Sequence, residues 1–448
     1  MFKVCRNQIF KCAMVLLAIA VLAAPLGLWG AKKKKEAEQP AQQPQPEVKI
    51  PDFRELVVFP SAPAIPRVRY QDYFSAEKPS FEQSKAEQKK QSKSSWMDRL
   101  AGVSPDAAKT RSGGFKSRFQ LLAPYGVVVD SKGRLYVADT KVGAVFIFNP
   151  ANNDVELIKN RENARFSQIF GLAMDDNDSL FVSDGDLHHI LLFNPQHKVE
   201  AVFGGDDLRR PGGMAIDYEN RLLYVCDAEL DQVVVFDADT HKVVRKLGTP
   251  GKQHTLTGPG DFSKPMFVAV DKEGLAYVTD TMNDRVEVFD ADGTFIRTWG
   301  KNGDGAGDFA RPKGIAIDSD GHIWVADAML SRIQVFTPDG GLLLAFGNFG
   351  ALPGQFQALT GMAFDQKNNR IYAAEQYLGR VQMFRYYTND EARAELKRRQ
   401  EELAKKAAEK RAQAAAAATG AAVSAGSASA VEAKQPESPA AAMPDTPK

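Results

Sequence analysis

One segment recurs six times along the chain, and that recurrence constrains the fold more than any other feature. The copies read PYGVVVDSKGRLYVADTKVGAVFIF from Pro124, IFGLAMDDNDSLFVSDGDLHHILLF from Ile169, PGGMAIDYENRLLYVCDAELDQVVVF from Pro211, PMFVAVDKEGLAYVTDTMNDRVEVF from Pro265, PKGIAIDSDGHIWVADAMLSRIQVF from Pro312 and LTGMAFDQKNNRIYAAEQYLGRVQMF from Leu359. A unit repeated this often stacks as a solenoid or closes as a propeller, because one copy cannot bury its own apolar faces. A chain of 448 residues would otherwise suggest about three domains. The repeat replaces that expectation with one ring and two flanks.

Within the fifth copy, residues 315–318 are a short apolar run closed by an acid, 319–321 are turn residues, and 323–326 are a second β-rich run. A third run follows at 332–336, a turn at 337–340, and a fourth run at 342–346, which makes four strands. The aligned third-position residues are Gly126, Gly171, Gly213, Phe267, Gly314 and Gly361, with spacings of 45, 42, 54, 47 and 47. Four strands in such a period suit a radial blade. The longest spacing falls in the Gly-, Pro- and Thr-rich stretch 248–264, which reads as a surface loop. The sixth copy turns helical before a fourth strand, so another segment must close the ring. Residues 67–74, where Val68, Tyr70 and Phe74 alternate with polar residues, are the first choice, and 55–59 the second.

The order of Pro, Gly, an apolar triplet ending in Asp, a Tyr/Trp-Val-Ala-Asp strand, an Arg-led third strand and a Gly-rich linker resembles the NHL repeat family. The resemblance covers roughly residues 70–387 and implies an all-β, six-bladed β-propeller. It implies little about activity, since NHL propellers serve as protein platforms, RNA binders, sensors and occasionally enzymes.

The flanks differ in character. Lys3, Arg6 and Lys11 precede an uncharged run over 12–30, and Lys32 to Lys35 follow, so residues 1–31 are expected to be an export signal or a single membrane anchor. Either places the propeller outside the cytoplasm, periplasmic or anchored to the membrane, with membrane association possible through residues 12–35. Residues 32–66, rich in Pro and Gln, are expected to form an extended linker. The polar stretch 75–118 connects the closing strand to the first blade, with Trp96, Met97 and Leu100 placed to pack on the ring. Residues 388–415 read as a charged helix capped by Asn389 or Asp390, and 416–448, rich in Ala, Ser and Pro, as a disordered tail. Cys5 and Cys12 lie in the leader, which leaves Cys226 as a buried small side chain.

Over residues 118–387 there are 27 Lys and Arg against 36 Asp and Glu, while the flanks hold 30 against 20. An acidic ring repels phosphate backbones, so no nucleic-acid partner is expected. Asp139, Asp184, Asp227, Asp280, Asp327 and Glu375 end the second strands. A ring of carboxylates suggests Ca²⁺, but an acid repeated in every blade reads as scaffold, accepting loop amides or pairing with Arg285, Arg332 and Arg380. Asp130, Asp175, Asp217, Asp271, Asp318 and Asp365 read as caps of the first turn. For Zn²⁺, three or four ligands must converge, and only His188, His189 and His254 fall on the face where inter-blade loops meet. No cofactor is expected.

Function in a repeat protein belongs where copies differ. The residues before the aligned glycine are Tyr125, Phe170, Gly212, Met266, Lys313 and Thr360, and two residues past the strand-end acid lie Lys141, Asp186, Glu229, Met282, Met329 and Tyr377. Tyr125, Phe170, Met266, Lys313, Thr360, Lys141, Met282, Met329 and Tyr377 are therefore the candidate binding residues, a mixture suited to a protein or peptide contact. The expected function is a non-enzymatic platform for an envelope protein or peptide. The alternatives are a metal-dependent lyase or lactonase, and a small-ligand sensor.

Overall fold

The computed structural model describes residues 53–61, 64–76, 119–152, 154–159, 165–249 and 258–427. The expected leader and basic stretch 1–35, the linker to residue 52, the connecting segment 77–118 with Trp96, the loop holding His254 and the tail beyond 427 lie outside them.

Six antiparallel sheets, one per repeat, follow one another around a ring. In the first blade the strands are Pro124–Val129, Leu135–Asp139, Ala144–Phe148 and Val155–Ile158, from the axis outward. The middle strands are buried at nearly every residue, and fully in Leu135–Asp139 and Ile323–Asp327, because each is covered by a blade on both sides. The outermost strands alternate, as in Phe295–Trp299, because one face meets water. Continuous and alternating apolar patterns therefore report radial position within the blade. The core lies between blades. One apolar cluster joins Tyr136, Val145 and Ile147 of the first blade to Leu180, Leu191 and Phe193 of the second. Another joins Leu135 and Phe146 of the first to Tyr372 and Val381 of the sixth.

The inner strands touch around the axis, and Leu359–Asp365 of the sixth blade meets Pro124–Val129 of the first. Glycine is required at this contact. A Cβ on Gly126 would lie 2.2 Å from the carbonyl oxygen of Phe170 in the next blade, and one on Gly171 would lie 2.0 Å from that of Gly212.

The sixth sheet has five strands, and both proposed closing segments contribute. Val68–Phe74 pairs antiparallel with Arg380–Tyr386, with Val68 opposite Tyr386 and Phe74 opposite Val381. Val58–Phe59 then pairs on the outside of Val68–Phe74. Within the expected linker, a short helix at Phe53–Leu56 leads into Val58–Phe59, and Phe53, Val57 and Phe59 pack on the cluster between the fifth and sixth blades.

The C-terminal helix runs Asn389–Ser427, past the expected end at 415 and into the residues expected to be disordered. Its alanine-rich stretch has high helix propensity. Its cap is Thr388, whose amide donates to Glu391 Oε2 at 3.1 Å, rather than Asn389 or Asp390. Buried Glu395 ties the first turns to the ring through Arg69, and it also bonds Arg398 and Arg399 at 2.8 and 2.9 Å.

Candidate functional site

Each blade sends its second-to-third-strand loop and its connection to the next blade to the same end of the ring. The strand-end acids hold this loop face in shape. Asp139 Oδ2 accepts the Leu122 and Ala123 amides at 2.6 and 2.9 Å, and its Oδ1 accepts those of Lys141 and Val142 at 3.0 and 2.8 Å. Asp184, Asp227 and Asp327 repeat the pattern. Asp280 and Glu375 combine an amide with Arg285 at 2.8 Å and Arg380 at 2.6 Å. Arg332 departs from this scheme. Its guanidinium donates to the carbonyls of Asp304, Gly305 and Asp308 instead of Asp327. All six carboxylates are fully buried, and their lone pairs fix the entry and exit of every loop.

At the centre of this face is a bowl of about 620 Å³, lined by Tyr125, Phe170, Arg210, Gly212, Glu229 and Met266 among others. Its floor is aromatic. Phe267, the one aligned position without glycine, projects from the fourth blade to stack on Tyr125 of the first, with centroids 5.6 Å apart and planes 20° apart. Phe170 of the second blade meets the same tyrosine edge-on at 5.0 Å. Blades one and four face each other across the axis, so this stack spans the channel and makes the bowl blind. Burial pushes the Tyr125 hydroxyl pKa well up and keeps it neutral.

Two cations rest on these rings. The Arg210 guanidinium lies 5.4 Å from the Phe170 centroid, and Lys313 Nζ lies 5.6 Å from that of Tyr125. Arg210 is also steadied by Gln168 Oε1 at 3.1 Å. Burial lowers the Lys313 pKa, and Arg311 beside it acts in the same direction.

Of the nine candidate residues, the structure brings Tyr125, Phe170 and Met266 together in the bowl, with Lys313 at its edge. Lys141, Met282, Met329 and Tyr377 stand apart on the rim, where the last three are 48, 61 and 79% exposed. Thr360 is not on the surface. It is fully buried, and its hydroxyl lies 3.1 Å from the Pro124 carbonyl and 3.3 Å from that of Ala374, joining the sixth blade to the first. Tyr125 is 5% exposed and forms floor rather than rim. Phe267, Arg210 and Lys264 escaped sequence reasoning. Phe267 carried a signal as the odd residue among aligned glycines. Arg210, Lys264 and Arg311 share one, since each immediately precedes the proline that opens a first strand.

Apart from neighbours His188 and His189, the described histidines are held apart. His197 meets Tyr136 Oη at 3.2 Å, His241 stacks on Phe203 at 4.6 Å, His322 binds Asp318 at 3.0 Å, and His188 contacts the Arg209 carbonyl. Burial lowers the pKa of His189. Among the described residues no three His, Cys, Asp or Glu side chains converge as metal ligands would. Cys226 is fully buried, with its thiol pKa pushed well up by burial.

Residues 121–148 match the NHL repeat, and residues 268–333 match a family described as a 6-bladed beta-propeller. No curated protein matches in sequence. Among solved structures, a structural genomics protein of unknown function from Bacteroides thetaiotaomicron is 13% identical, with 61% of this chain and 72% of that one covered and a TM-score of 0.50. A gluconolactonase from Xanthomonas campestris is 18% identical, over 60% of this chain and 87% of that one, with a TM-score of 0.45. A virginiamycin B lyase from Staphylococcus aureus is 13% identical, over 59% and 95%, with a TM-score of 0.45. At such identities the likeness shows the fold alone.

Proposed function

The chain carries NHL repeats and closes into a six-bladed β-propeller, and from that premise we propose that it is a non-enzymatic binding platform of the cell envelope whose loop face engages a protein or peptide. The observation that carries this reading is the set of exposed apolar side chains Met282, Met329 and Tyr377 standing on acid-tied loops around an aromatic bowl. Large apolar groups held rigidly in water favour association, because little ordering entropy remains to be lost when they are covered. The envelope location rests on the uncharged run over 12–30 followed by four lysines. A lyase or lactonase would draw on the six strand-end carboxylates, and those are engaged by backbone amides and arginines.

The test is in-cell crosslinking and mass spectrometry on tagged full-length protein beside the Met282→Ser, Met329→Ser, Tyr377→Ser form, with folding checked by circular dichroism. A specific envelope protein should be captured by the first and reduced about tenfold or more in the second, the effect of losing contact residues worth over 1 kcal/mol. Equal capture by both forms, or no specific partner, would overturn the proposal.

A further inference from the structure

Cations gather around the mouth of the bowl. On the face opposite the loop face, Asp176, Asp239, Asp292 and Asp339 pair with Arg221, Arg245 and Arg297, and the exposed lysines Lys132, Lys198, Lys242, Lys272 and Lys367 share those turns with further acids. Around the bowl cations outnumber acids. Lys141, Arg210, Lys264, Arg311 and Lys313 come from loops and first-strand starts of four blades, while Asp186 and Glu229 are acids at equivalent positions and Asp284 lies near Arg311. Among the described residues none of these five cations lies within ion-pair distance of a carboxylate. The ring's acidic excess thus hides a positive mouth, and such a mouth attracts anions over distances comparable to the Debye length.

We propose that this mouth takes an acidic linear peptide, an inference that rests on the platform reading and names its partner class. An apolar side chain of the peptide enters the bowl against Tyr125, Phe170 and Met266, and flanking carboxylates meet Arg210, Lys264 and Lys313. Arg210 and Lys313 are held over aromatic rings, so little side-chain entropy is lost when they bind. A peptide fits better than a nucleic acid. Asp186 and Glu229 interrupt the cationic ring and would repel a continuous phosphate backbone, whereas a peptide can place carboxylates selectively.

The experiment selects a displayed library of random peptides, about twelve residues long, on the full-length protein and on its Arg210→Gln, Lys264→Gln, Lys313→Gln form. Selected peptides are expected to combine Asp or Glu with an apolar residue. Their affinity, read by fluorescence anisotropy, should fall about tenfold or more in the variant, in about 0.5 M salt, and when their acids become amides. Selected peptides that bind the variant equally, or tolerate loss of their acids, would overturn this inference and leave the platform standing. Failure to select any peptide, while the crosslinked partner still depends on Met282, Met329 and Tyr377, would also overturn it in favour of a folded surface. Equal binding of heparin or single-stranded DNA, lost in the same variant, would make the mouth a polyanion surface and overturn it. Loss of both peptide selection and partner capture would remove the platform reading as well.

Discussion

At Gly126 and Gly171 the side chain is forbidden by the neighbouring blade, whereas at Gly321 it is disfavoured by the local backbone. Gly321 has φ +83°, and a methyl group there would meet nothing within 4 Å. Gly171→Ala drives a Cβ into a carbonyl that belongs to a rigid strand, and should cost about 3 kcal/mol, the upper range for overpacking. Gly321→Ala should cost about 1–2 kcal/mol, the penalty of left-handed backbone. Urea midpoints of the two variants check the ranking. Glu287 offers a pH signature. Burial raises its pKa from about 4.5 to about 7, against the opposing pull of Arg285 3.2 Å away. A raised carboxyl contributes fully below its unfolded pKa, and that contribution is lost as the pH climbs through 7. Stability should fall by up to about 3 kcal/mol across this window, at 1.36 kcal/mol per pKa unit, and Glu287→Gln should flatten the fall. Denaturant titrations at pH 5 and pH 8 measure it.

Elements were readable where one strand suffices to identify itself. The buried run AVFIF and the alternating FIRTW announce middle and outer strands without reference to anything distant. The strand-end acids were likewise legible as scaffold because they repeat. The bowl was not, since Phe267 and Tyr125 meet across the axis from positions far apart in the chain, and no periodicity encodes a contact between opposite blades. Thr360 shows the converse. It aligned with rim residues, yet its hydroxyl finds two carbonyls between blades and is drawn inside. The closing strand can be tested alone. Tyr70 is 5% exposed and meets Phe384 edge-on at 5.8 Å. Tyr70→Ala should cost about 3–5 kcal/mol, by analogy with large buried aromatics. Hydrogen exchange should accelerate first in Arg380–Tyr386, while the second and third blades stay protected. Uniform acceleration in all blades would mean that the closing strand is not a separable element.

At the scale of the whole molecule, the Phe267–Tyr125 stack spans the axis beneath the bowl, so the ring works as a dish closed on that side. The five-stranded sixth sheet has a consequence in time. Its strand Val68–Phe74 leaves the ribosome early, and its partner Arg380–Tyr386 is among the last parts of the ring to be made. During synthesis that strand must wait without its ring partner while five blades are laid down, and the ring locks only when the last hairpin arrives. Contacts this distant in sequence slow folding and prolong the exposure of open edges. A chain of this design is complete in one step at its end, and a ribosome stalled within the sixth repeat would hold an unlatched ring.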